Sequence, residues 1–208
     1  MKRISLVRKT LAASLLGLGL AGNALADGHL MEEVFWERGG ADFSNYSKVL
    51  VKPLDLWDVK VLKPVWEEDN GDAWTFEGGV GEEIQDLFMT NIVSELGGEG
   101  GLEIVTEEGP DTIQLEVEFL SITPYTKPGS ETGDRGYEIT TLGSGDVHLS
   151  AELRDSTTGA ILMLVEGERQ IGTEYKELTP ENHVANLEAT FKDWGQKVRE
   201  YVQVKQAQ

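Results

Sequence analysis

The side chains that most often carry chemistry near neutral pH are scarce in this sequence. There are three histidines, His29, His148 and His183, and no cysteine. That composition excludes thiolate nucleophiles, thiolate metal sites and disulfides together. His148 stands between Val147 and Leu149 in an alternating run, a place on the polar face of a strand, and His183 falls in the first turn of a C-terminal helix. An exposed or hydrogen-bonded histidine is the expectation for both. No catalytic residue, cofactor site or metal site is assigned.

Three motifs come near to known chemistry and fall short of it. The stretch 66–77 places Glu68, Asn70, Gly71 and Glu77 at positions three, five, six and twelve of a calcium loop, but position one is Trp66 instead of a carboxylate. An acidic turn is the reading that remains. Gly78-Gly79-Val80-Gly81 opens a helix, yet it lacks the Lys-Ser/Thr ending of a phosphate loop, and Glu82 and Glu83 would repel an anion. Gly143-Ser144-Gly145 lacks the glycines two residues to either side that a serine elbow requires, so it reads as an entry to a strand. With 37 acidic residues, some carboxylates will lie close by accident, and their number says nothing about a hydrolase.

The tryptophans are the more informative group. Trp57, Trp66 and Trp74 fall within a proline-bounded, loop-like stretch, and tryptophan is enriched where proteins meet partners. They are the candidate interaction surface. The competing reading makes them a cover over one face of a sheet.

The elements that position these residues follow from periodicity. Val49, Leu50 and Val51 make a short buried strand ending at Pro53, and Trp57, Val59 and Val61 alternate as a second short strand before a loop. Val80, Ile84, Leu87, Phe88, Ile92 and Leu96 recur at helical spacing and stop at Gly97-Gly98. Ile113, Leu115, Val117 and Phe119 alternate with polar residues, as do Val147, Leu149, Ala151 and Leu153; a turn at 155–159 then leads to a partner strand at 161–165. Residues 124–145 read as one long loop that moves or binds something. A last helix starts at Thr179-Pro180-Glu181 and carries Val184, Leu187, Phe191, Trp194, Val198 and Tyr201 on one stripe. The order predicts an α+β fold, a mainly antiparallel sheet with both helices packed on one face.

The N-terminus has the three zones of a signal peptide: Lys2, Arg3, Arg8 and Lys9, an apolar run from Leu11 to Ala21, and small residues at Ala24 and Ala26. The apolar run is shorter than the roughly 20 residues a spanning helix needs. Cleavage is expected after Ala26, leaving no membrane span. The expected organisation is a signal peptide at 1–26, a flexible leader at 27–45, and one domain at 46–204. Residues 1–26 hold four basic and no acidic residues, so the remainder carries 14 basic against 37 acidic residues and a formal charge of −23. A nucleic-acid partner is therefore not expected.

Tyr46-Ser47-Lys48-Val49-Leu50-Val51-Lys52-Pro53, the glycine pair before the hairpin, Ala151-Glu152-Leu153-Arg154-Asp155-Ser156 with Thr158-Gly159, and the late Trp194 together resemble a bacterial envelope family, domain of unknown function 3313. The resemblance runs from about Phe43 to Tyr201. It implies an envelope location and a fold similar to small α/β domains of outer-membrane assembly and periplasmic accessory proteins. Members are commonly lipoproteins; this chain has no cysteine to acylate, so an unlipidated periplasmic or secreted protein is expected. The functional expectation is a non-enzymatic interaction module with an envelope protein as partner. A periplasmic binder of a small ligand or cation is the alternative, suggested by the glycine-rich 124–145 segment and the acidic turn.

Overall fold

The computed structural model describes residues 34–67, 72–76, 78–128 and 139–208. The expected signal peptide, its cleavage after Ala26, and His29 lie outside them. In chain order the elements are β1 (Val34–Glu37), β2 (Lys48–Val51), β3 (Lys60–Val61), α1 (Val80–Leu96), β4 (Glu103–Val105), β5 (Thr112–Pro124), β6 (Thr140–Leu142), β7 (Gly145–Asp155), β8 (Ile161–Ile171), β9 (Tyr175–Glu177) and α2 (Pro180–Gln206).

Alternation sets the frame of the main sheet. On β5 the side chains of Ile113, Leu115, Val117 and Phe119 are all buried, as are Val147, Leu149 and Leu153 on β7, and the two strands pair antiparallel along nearly their whole length. β8 pairs antiparallel with β7, and β2 and β4 continue the sheet on the other side of β5 in parallel. The strand order is β1-β8-β7-β5-β2-β4, with β3 beside the second half of β5. The free side of β5 is thus covered in succession by β2, by an isolated bridge from Asp55 to Glu118, and by β3. The fold is α+β, with an antiparallel meander joined to a parallel β2-α1-β4 unit.

Both helices lie on one face of this sheet and run in the same direction. Phe88 of α1 meets Phe191 of α2 edge to face with ring centroids 5.4 Å apart, and Trp194 bridges Phe191 to Phe119 of the sheet. Gly195 lets the helices approach closely, since a Cβ there would stand 2.8 Å from the Glu95 Cβ. Arg199 Nη1 donates to the Glu95 carbonyl at 2.6 Å and caps the end of α1, and the Thr179 hydroxyl accepts from the Asn182 amide to start α2. The opposite face of the sheet is polar: Arg154 pairs with Glu116 and Glu152, and His148 Nε2 lies 3.7 Å from Glu166.

Two expectations are corrected. Residues 34–45 do not belong to a flexible leader: β1 pairs antiparallel with β8, and Phe43 is buried in the core. β1 is a strand because a distant partner makes it one, which local periodicity cannot show. The segment 124–145 is not one long loop either, because β6 lies within it and pairs with β9 in a separate two-stranded ribbon. This ribbon prolongs the β7–β8 pair beyond a bend at two facing glycines, Gly143 with φ 69° and Gly172 with φ 84°. The intervening 129–138 lie outside the described residues.

β1 is fastened to the last turns of α2. Glu37 accepts hydrogen bonds from Lys205 Nζ at 2.7 Å and from the Tyr201 hydroxyl at 2.9 Å. The Lys205 hydrogen bond holds the Glu37 carboxyl below its ordinary value, and the Tyr201 bond adds to this. A carboxylate whose folded pKa is depressed contributes stability above its unfolded pKa and loses it as pH falls through the folded one. Glu37→Gln is therefore expected to cost about 1 kcal/mol at pH 7. Its effect should shrink toward zero as pH falls below the ordinary carboxylate range, as urea titrations of both proteins over that range would show.

Candidate functional site

The segment 54–67 runs along the edge of β5 with its residues sorted to two sides. Leu54 is buried, and Leu56, Val59, Val61 and Phe76 pack against the core. In contrast Trp57 is 96% exposed, Val65 99%, Trp66 54% and Leu62 46%. Four large apolar side chains within ten residues thus face outward. Single exposed apolar residues are ordinary, whereas a grouped set on an ordered backbone is not.

The backbone of this segment is held from several directions. The Asp55 amide donates to the Val117 carbonyl at 2.9 Å, the Phe119 amide donates to Asp55 at 3.0 Å, and the Leu62 amide donates to Ile122 at 2.7 Å. The Asp55 carboxylate accepts from the Trp57 amide at 2.8 Å, a local turn that breaks the alternation expected for Trp57, Val59 and Val61. That turn sends the Trp57 indole to solvent while Leu56 and Val59 pack against the core.

Trp66 is braced from below by Tyr125, their rings meeting edge to face at 5.1 Å. The Tyr125 hydroxyl donates to Asp146 Oδ2 at 2.9 Å. Burial, together with the Asp146 carboxylate, pushes that phenol up to about 12, so it stays a proton donor. Tyr125 was not singled out by sequence reasoning; the signal was its place directly after Pro124, where a long strand ends. β5 and β8 both finish at this end of the sheet. The same end carries the β6–β9 ribbon with Tyr175, 76% exposed, and the starts of both helices.

The three tryptophans divide. Trp57 and Trp66 are on the surface, and Trp74 is buried, 7% exposed, as support. The calcium-loop template falls partly outside the described residues, since 68–71 and 77 are among those not described. Among the described residues no group of three or more histidine or acidic side chains is placed to hold a metal ion. Gly79 starts α1 with φ 89° and no side-chain cap, and the groove beside it, about 430 Å³, is lined by Glu82, Glu83, Asp86 and Glu188. Its charge disfavours an anion, as the sequence implied.

Ser144 is buried at the ribbon's bend, its amide bound to the Ile171 carbonyl at 2.8 Å, and is not poised as a nucleophile. His148 faces the open side of the sheet, whereas His183 lies in the first turn of α2, where burial lowers its pKa. The structure does not bring the two histidines together.

The described residues thus form one α+β domain with an aromatic segment along the edge of β5. Residues 24–198 match the model of the family described as protein of unknown function DUF3313. The chain belongs to that family. No curated protein matches it. Among solved structures, PelC from Paraburkholderia phytofirmans, a dodecamer, is similar at 11% identity and TM-score 0.39, over 81% of this chain and 98% of that one. A DUF330 protein from Xanthomonas campestris is similar at 7% identity and TM-score 0.42, over 76% and 84% of the two chains. A DUF4136 protein from Bacteroides thetaiotaomicron follows at 13% identity and TM-score 0.35, over 81% and 96%.

Proposed function

We propose that the chain is a non-enzymatic interaction module of the bacterial envelope, which docks a protein partner on the outward side of segment 54–67. The observation that carries this reading is the exposure of Trp57, Val65 and Trp66 on a backbone held by β5. Burying an indole and its neighbours against a partner removes apolar surface worth about 25 cal/mol per Å². Because the backbone is already ordered, little conformational entropy opposes docking.

The location follows from the basic, apolar and Ala-Leu-Ala zones at the N-terminus and from the absence of cysteine, which together support export without lipidation. No helix among the described residues is long and apolar enough to cross a membrane.

The test is a pair of variants, Trp57→Ser and Trp66→Ser. Trp57→Ser is expected to leave stability within about 0.5 kcal/mol of the parent, as a surface change does. Each is expected to weaken recovery of the native partner at least about tenfold, the ordinary scale of a buried aromatic anchor. Unchanged recovery with both variants would overturn the reading. A small-ligand or cation binder would instead show its melting temperature raised by a ligand with these variants behaving as the parent does.

A further inference from the structure

The main sheet has two outer strands, and they differ in how they are guarded. β4 is three residues long and opens with an exposed Glu103, the kind of short, charged edge that discourages pairing. β1 reads Val-Phe-Trp-Glu, with Phe35 56% and Trp36 45% exposed. Its one acid, Glu37, is engaged by Lys205 and Tyr201 and so does not guard the edge. Among the described residues no strand pairs with the outer side of β1.

The direction of its backbone groups can be read from the pairing with β8. The Arg38 amide donates to the Leu162 carbonyl of β8 at 2.9 Å. Strand alternation then turns the groups of Val34 and Trp36 toward β8 and those of Phe35 and Glu37 outward. Two outward residues spaced by two are self-complementary. In an antiparallel pair of two copies, Phe35 of each exchanges both backbone hydrogen bonds with Glu37 of the other.

We propose that β1 is a homodimerisation edge, at which two copies join their sheets about a two-fold axis with Trp36 facing Trp36. Phe35 packs on the helix side, against Tyr201 with ring centroids 6.4 Å apart. Trp36, pointing the other way, therefore meets its counterpart on the polar face of the joined sheet, in a non-hydrogen-bonded pair where side chains come closest. Charge selects this register. A shift of two positions places Glu37 opposite Glu37, whereas the Trp36 register sets each Glu37 against Phe35. The pairing is isologous and closed, so it stops at two copies. The inference stands apart from the docking of a partner at segment 54–67, since the two surfaces occupy opposite edges of the sheet.

The absence of native cysteine makes a clean test possible. Facing non-hydrogen-bonded residues have Cα atoms about 4.5 Å apart, within the range a disulfide spans. Trp36→Cys in the purified full chain is expected to form a covalent dimer under mild oxidation at least tenfold faster than Phe35→Cys or Val65→Cys, the last being exposed at the opposite edge of the sheet. Sedimentation of the unmodified chain over a concentration series, which does not depend on losing the indole, is expected to show monomer passing to dimer and no larger species. Added salt should strengthen the dimer by screening two acidic copies. Equal crosslinking at all three positions, or a monomer at every concentration and salt level, would overturn the proposal.

Discussion

Phe191→Ala is expected to lower the stability of the domain by about 3–5 kcal/mol, the scale of losing a fully buried aromatic side chain. Phe191 has 0% exposure and touches both Phe88 and Trp194 edge to face. Its loss opens a cavity where α1, α2 and the sheet converge, and none of the three can close in without disturbing the others. A domain of ordinary stability holds only about 5–15 kcal/mol in total, so this variant should unfold at a markedly lower urea midpoint. A cost below about 1 kcal/mol would mean that the helices do not share this contact.

The second large effect is expected at the bend between the main sheet and the ribbon. Gly172 has φ 84°, and a Cβ built there would stand 2.5 Å from Asn186 Cγ and 2.6 Å from Asn186 Oδ1. Gly172→Ala therefore combines a left-handed backbone with overpacking, together about 2–4 kcal/mol. Gly159→Ala separates the two contributions. Gly159 has φ 68° but nothing within 4 Å of its Cβ position, so only the backbone cost of about 1 kcal/mol is expected. Asn186 is buried with its Nδ2 unpaired, and combining Gly172→Ala with Asn186→Ala should recover part of the loss. Thermal or urea unfolding of the four proteins measures this directly; equal costs at Gly172 and Gly159 would remove the collision from the account.

Much of this fold was readable in the sequence because its signals are local. α1 begins and ends where the spacing of Ile84, Phe88, Ile92 and Leu96 and the Gly97-Gly98 stop placed it. The β7–β8 hairpin turns at Asp155–Gly159, where the Thr158 amide donates to Asp155 Oδ1 at 2.7 Å. The strands extend further than their apolar alternation suggested, because Gly167, Arg169 and Gln170 carry no hydrophobic signal but still pair with Leu149, Val147 and Asp146. β1 and the β6–β9 ribbon were missed for the same reason. Each is a strand only through a partner far along the chain, and their flanks are rich in glycine and charge.

The candidate surface was half legible. Composition pointed to Trp57, Trp66 and Trp74 as a group, yet it could not separate Trp74, which the chain buries, from Trp57, which it leaves 96% exposed. That separation depends on the turn held by Asp55 and on where β5 passes, both tertiary facts. The bracing of Trp66 by Tyr125 joins residues far apart in sequence and separated by a helix, and no spacing rule reaches that far.

The claim that segment 54–67 docks a partner is tested most directly by crosslinking in intact cells. A photoreactive residue would be placed at position 65, where Val65 is 99% exposed, and in parallel at Glu118 on the open polar face of the sheet. The account predicts one dominant envelope protein joined from position 65 and lost when Trp57→Ser is added, with no such adduct from position 118. No adduct from position 65, or the same adducts from both positions, would contradict it.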